Sequence, residues 1–164
     1  MSTATATVTA EPASDRELVL TRLIDAPRSA VWRCWTEPEL VKQWFAPAPW
    51  TTPKADLDVR PGGQCTVTMA DENGNEYPNP GVYLEVIENE KLVFTDAYSG
   101  DWEPHEGSPF MTVVLTFEDE GGKTRYTARA RHWTSEAKHQ HEKMGFHEGW
   151  GRCADQLEKL ARTL

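Results

Sequence analysis

The spacing of apolar and polar positions along this chain changes period three times. "ELVLTRLI", from Glu17 to Ile24, is aliphatic and β-branched and predicts a first strand. "DAP" breaks it, with Pro27 suited to a first helical turn, and Val31, Trp32 and Trp35 then mark one face of a short helix. "TEP" breaks the chain again before Leu40, Val41 and Trp44, the face of a second short helix, and the proline-rich "APAPWTTP" reads as a connection. Alternation of period two follows in "KADLDVR" and in "QCTVTMA", where Cys65, Val67 and Met69 stand opposite Gln64, Thr66 and Thr68. Asn73-Gly74 is a strong hairpin signal. "GVYLEVIE", "KLVFTDAY", "FMTVVLTFE" and "TRYTARARHW" complete six strands at hairpin spacing, interrupted by a longer loop from Ser99 to Pro109.

Helical spacing returns near the end. Thr134 or Ser135 can cap "SEAKHQHEKM", and Gly145 falls just past it. Phe146, Trp150, Cys153, Leu157, Leu160 and Leu164 then recur every three or four residues, with Asp155–Lys159 and Glu158–Arg162 as i,i+4 pairs on the other side. A helix from Phe146 to Thr163 spans roughly 27 Å, enough to cross a sheet. The order of elements predicts an α+β helix-grip fold: a curved antiparallel sheet around a long C-terminal helix, with two short helices after the first strand. Phe146, Trp150, Cys153, Leu157 and Leu160 are expected to face the sheet.

The start of that helix is anomalous. "GFHEGWG" holds three glycines in seven residues, each costing about 1 kcal/mol relative to alanine inside a helix. Gly149 and Gly151 either let neighbouring backbone approach Trp150 or leave volume for a guest. The sequence leaves both readings open.

At 164 residues the chain fits one domain, expected over residues 17–164. Residues 1–16 are small and polar without apolar periodicity, so they are expected to form a disordered, dispensable tail. They lack the basic start and apolar run of a signal peptide, and no stretch is long and apolar enough to span a bilayer. A formal net charge of -9 disfavours nucleic acid or an anionic membrane as partner. Cys34, Cys65 and Cys153 fit neither a metal spacing nor a disulfide framework, and reduced thiols in a cytoplasmic protein are expected.

"RLIDAPRSAVWRCWTEPELVKQWFAP" resembles the opening of START-like domains related to the activator of the heat-shock-protein ATPase. "DVRPGGQCTVTM", "GVYLEVIENEKLVFT" and "HEGWGRCADQLEKL" resemble later signatures of the same family, in the same order. The resemblance covers Glu17 to about Thr163. It implies a cavity between sheet and long helix, usually apolar and open near the helix start. Such a family includes ligand carriers, cyclases and co-chaperones, so the resemblance does not select a function.

Aromatic and sulfur side chains are the leading candidates for lining that cavity: Trp44, Trp50, Met69, Tyr83, Phe94, Met111, Phe146 and Trp150, with Phe45 and Trp133 as further aromatics. The competing reading is a plain aromatic core. His132 shares a strand face with Tyr126, Ala128 and Ala130, opposite Arg125, Thr127, Arg129 and Arg131. Turned inward, it is a polar group able to donate or accept a proton. His139, His141 and His147 satisfy no zinc-protease spacing and read as a solvated polar face, so no metal or other cofactor is expected. No nucleophile elbow, phosphate loop or dinucleotide fingerprint is present. The function expected is binding of a small apolar or aromatic molecule. The alternatives are a co-chaperone-like protein-binding role and a cyclase- or dehydratase-type reaction in the same cavity.

Overall fold

A computed structural model describes residues 10–164. The elements run β1 (Glu17–Ile24), α1 (Arg28–Thr36), α2 (Pro38–Val41), β2 (Thr51–Leu57), β3 (Cys65–Ala70), β4 (Glu76–Asn79), β5 (Val82–Ile87), β6 (Lys91–Thr95), β7 (Tyr98–Ser99), β8 (Glu103–Pro104), β9 (Thr112–Glu120), β10 (Lys123–Arg131), α3 (Ser135–Lys143) and α4 (Phe146–Ala161). This is the expected α+β helix-grip fold.

The sheet is entirely antiparallel. Its larger part has the order β1-β10-β9-β6-β5, so the first strand closes against the last, with Leu20 opposite Ala128. β2, β3 and β4 form a second part, joined to the first at the Gln64–Val82 bridge. Tyr83 N donates to Gly63 O at 3.0 Å and Cys65 N to Gly81 O at 2.9 Å across this bridge, and Gly62 N adds a bond to Tyr83 O at 2.8 Å.

Two strand readings change. β2 begins at Thr51, inside the proline-rich stretch expected to be a connection. Pro53 is tolerated there because the register slips between Thr51 and Lys54 on a strand at the sheet's edge. β4 has no apolar alternation to reveal it: all four residues are exposed, and Pro78 sits on the opposite edge.

Helix α4 lies across the concave side. Ala154, Leu157 and Ala161 are buried in one cluster with Ile24, Ala30, Val31, Trp35 and Tyr126. Phe146 is buried in a second cluster with Leu18 and Ala130. Trp150, Cys153 and Leu160 are half-buried, all on the inner side as their spacing predicts.

The expected tail divides. Residues 1–9 lie outside the described residues, but part of 10–16 is hydrogen-bonded into the domain. Arg16 O accepts from His132 N and His132 Nδ1, both at 2.9 Å, and Ala13 N donates to Glu17 Oε1 at 2.8 Å. Glu17, only 1% exposed, also takes Arg129 and Arg131 on separate oxygens. Burial opposes its ionisation, but the bonds from Arg131, Ala13 and Arg129 outweigh burial and hold the carboxyl below the usual glutamate range.

A chain shortened to begin at Glu17 should be less stable than one beginning at Ala10 by about 1–3 kcal/mol, because two His132 donors lose their acceptor. Equal urea midpoints for the two would refute this. Leu157→Ala should cost about 2–5 kcal/mol, and Trp150→Ala less than the roughly 3–5 kcal/mol of a fully buried indole. Chemical denaturation of both variants checks that order.

Candidate functional site

The local sequence builds the cavity roof. Thr134 caps α3 by accepting from Ala137 N, and α3 ends where Gly145 turns the chain into α4. Gly145 has φ 96°, a left-handed conformation that glycine adopts without strain. A Cβ at Gly149 would meet nothing within 4 Å, whereas one at Gly151 would lie 3.5 Å from the Arg22 guanidinium. Arg22 donates to Gly151 O at 3.0 Å, which ties β1 to the helix. A Cβ at Gly151 would make an ordinary contact with Arg22, whereas Gly149 borders empty volume.

That volume is a cavity of about 520 Å³ between α4, α1–α2 and the concave face of the sheet. On one wall Trp35 meets Trp44 edge-on at 4.6 Å and Phe45 at 6.0 Å, and Trp44 Nε1 is fixed by donating to Cys34 O at 2.8 Å. The floor carries Met69 from β3, Tyr83 from β5 and Phe94 from β6, with Met111 beside them. Phe146, Gly149, Trp150 and Cys153 form the roof. Trp50, which is 36% exposed and stacks on Tyr77 at 5.4 Å, and Met144, which is 77% exposed, stand at the rim. A second depression, lined by Arg28, Glu90, Lys91, Glu118 and Asp119 among others, is an open charged groove on the outer surface.

Eight of the nine sequence-proposed residues line the cavity: Trp44, Trp50, Met69, Tyr83, Phe94, Met111, Phe146 and Trp150. His132 does not. It is buried one ring behind the wall, and the imidazole on the wall is His141. His132 Nε2 lies 2.8 Å from His141 Nδ1. The Arg16 carbonyl can only accept, so His132 Nδ1 carries a proton and donates to it. In the neutral ring His132 Nε2 is then the acceptor, and His141 Nδ1 must donate to it. His141 Nε2 is left with its lone pair and no hydrogen-bond partner among the described residues.

The sequence reading assigned His141 to a solvated face, and the structure corrects this. Its neighbours His139 and His147 are exposed beside Glu142, whereas His141 packs against Phe110 at 4.7 Å and Phe146 at 5.2 Å between ring centroids. Burial first, and His132 second, push its pKa down to about 4, so the ring is neutral at pH 7. Helical spacing alone could not find this, since the aromatic partners come from other elements.

Other polar groups on the wall are largely satisfied. Asp96 accepts from Phe110 N at 2.8 Å and Met111 N at 3.1 Å, which pins the loop leading into β9. Burial raises the Tyr83 and Tyr126 hydroxyls and pushes the Cys65 and Cys153 thiols up to about 11 and about 12. None of these thiols is a nucleophile at neutral pH. Buried Trp35 Nε1 lacks a hydrogen bond of good geometry, although the Tyr126 hydroxyl is close. Among the described residues no group of three His, Cys, Asp or Glu side chains is arranged to hold a metal, and no helix is long and apolar enough to cross a membrane.

A curved sheet gripping a terminal helix over an apolar interior defines a START-like domain. More particularly, residues 25–162 match the family described as activator of Hsp90 ATPase homolog 1-like protein, and the chain belongs to that family. It is similar to the crystal structure of a protein from Nitrosomonas europaea, with 41% identity, a TM-score of 0.88, and coverage of 92% of this chain and 96% of that one. A solution structure from Staphylococcus epidermidis has 27% identity and a TM-score of 0.79, covering 92% of both chains. An AHSA1-like protein from Aeromonas hydrophila shares the fold at 21% identity and a TM-score of 0.69, over 90% of this chain and 92% of that one. No curated protein is significantly similar.

The depressed His141 pKa generates a pH dependence. Between its ordinary 6.5 and about 4 the unfolded histidine binds a proton that the folded one refuses. The unfolded state then holds more protons, so stability falls as pH drops through this window and is regained as pH rises. The loss should be on the order of 2 kcal/mol, with partial solvent access taken into account. Glu17 adds a loss at lower pH, below its ordinary 4.5. Melting of wild type and His141→Phe from pH 7 to pH 4 checks this: the variant should show the shallower decline, and parallel curves would refute it.

Proposed function

We propose that this protein holds a small apolar or aromatic molecule in the cavity beneath α4. The observation that carries the reading is Gly149: a residue unfavourable in a helix borders volume that no neighbouring atom fills. The cavity has the size and apolar, aromatic lining of a small-molecule site, with few polar groups to orient a guest. On this reading Trp44, Met69, Tyr83, Phe94, Met111, Phe146 and Trp150 contact the ligand, Trp50 guards the rim, and His132 acts from behind His141. No cofactor is required. Three free cysteines with protonated thiols suit a cytoplasmic setting.

The cyclase- or dehydratase-type alternative needs a strong base on the wall. His141 is the imidazole placed there, and a pKa near 4 makes it a weak one. A co-chaperone-like role rests on the family name, and the net charge of -9 leaves nucleic acid and anionic membranes as poor partners.

A thermal-shift screen of aromatic hydrocarbons and aromatic alcohols tests the proposal. A ligand that binds only the folded state raises stability by about 2.7 kcal/mol at a hundredfold excess over Kd. Gly149→Leu should stay folded, because its side chain enters open space and leucine is the better helix former. It should also lose the ligand-induced shift. A Gly149→Leu protein destabilised by more than about 1 kcal/mol without ligand, or a screen without a single binder, would remove the support for this reading. The protein-partner reading would then come first.

A further inference from the structure

The geometry points to a hydroxyl group on the cavity's ligand: an apolar or aromatic skeleton carrying a neutral O–H that donates to His141 Nε2. This inference rests on the small-molecule reading and narrows its ligand class. The argument is one of proton bookkeeping along three groups. The Arg16 carbonyl fixes the proton on His132 Nδ1 at 2.9 Å, His132 Nε2 then accepts at 2.8 Å, and His141 Nδ1 is committed as its donor. The ring on the cavity wall therefore presents a lone pair, with its tautomer set from outside the cavity.

The surroundings complete the selection. Phe110 and Phe146 enclose the His141 ring, and both also line the cavity. An anion is disfavoured there by the apolar wall and by the lone pair itself. A ligand ether or carbonyl oxygen offers that nitrogen no proton. Of the charged groups nearby, Asp96 is occupied by the Phe110 and Met111 amides, and Glu142 on α3 lies beside exposed His139 and His147. A neutral donor such as a hydroxyl satisfies the nitrogen without bringing charge into the cavity. His132 is a positioning residue: it touches no ligand and holds the tautomer of the ring that does.

The test uses the full chain and three matched probes, naphthol, its methyl ether and naphthalene, titrated by calorimetry at pH 7. Naphthol should bind about three- to tenfold more tightly than the ether, the worth of one neutral hydrogen bond. His141→Phe should abolish that preference while still binding naphthalene, and His141→Gln, whose amide oxygen can accept, should restore part of it. Nitrogen-15 NMR of the free protein should show His141 protonated at Nδ1 and bare at Nε2, with the Nε2 signal moving on addition of naphthol and not of the ether. Equal affinity for all three probes, or a proton on His141 Nε2, overturns the hydroxyl inference and leaves the cavity reading standing. Failure of all three probes to bind overturns both.

Discussion

The structure depends on how the last helix is anchored. Ala154, Leu157 and Ala161 put small and medium side chains against Ile24, Ala30, Val31 and Trp35, a contact close enough to exclude water from that end of α4. Burying such a surface stabilises by about 25 cal/mol per Å² of apolar area. With its C-terminal half fixed, the N-terminal half is held over the sheet without needing to touch it everywhere. Phe146 makes a second, smaller anchorage with Leu18 and Ala130. A span supported at both ends can tolerate a gap in the middle, and the cavity occupies that gap.

The same arrangement explains why the interior is apolar yet not featureless. Most polar atoms near the cavity are already consumed by the fold: Trp44 Nε1 by Cys34 O, Cys153 Sγ by Phe45 O, and the Asp96 carboxylate by two amides. These bonds hold the walls and leave little capacity for a ligand. His141 differs because its partner, His132, uses only one of its two nitrogens. The histidine pair also ties the N-terminal segment to the cavity, since the Arg16 carbonyl sets the proton positions in both rings. A segment that contributes no residue to the core clusters thereby affects the chemistry of the cavity wall.

Much of this was legible in the sequence, and the parts that were not have physical reasons. The period-two and period-three-to-four patterns gave the order of elements because the core faces one side of each strand and helix. The aromatic lining followed from the same faces, since residues that turn inward meet whatever lies inside, core or cavity. Pattern could not find β4, whose residues are all exposed, or a β2 that admits Pro53 through a register slip. It misplaced His141, because burial there is created by Phe110 and Phe146 arriving from the loop before β9 and from α4. Nor does side-chain composition report the hydrogen bonds that hold residues 13–16 against the domain.

Glycine content alone could not choose between a tight contact and a void, and the structure shows why. Gly151 faces the Arg22 side chain and Gly149, two residues earlier, faces open volume, so one short motif serves both ends. The helix turns by about 200° over two residues, which puts the pair on nearly opposite sides. Arg22 reaches the Gly151 carbonyl, which every residue carries, so the β1 contact does not itself require glycine. The pair costs about 2 kcal/mol in helix propensity, which the buried second half of α4 offsets. The weak start of the helix is therefore compatible with its regular end, because the Leu157 contacts do not depend on whether the space beside Gly149 is filled.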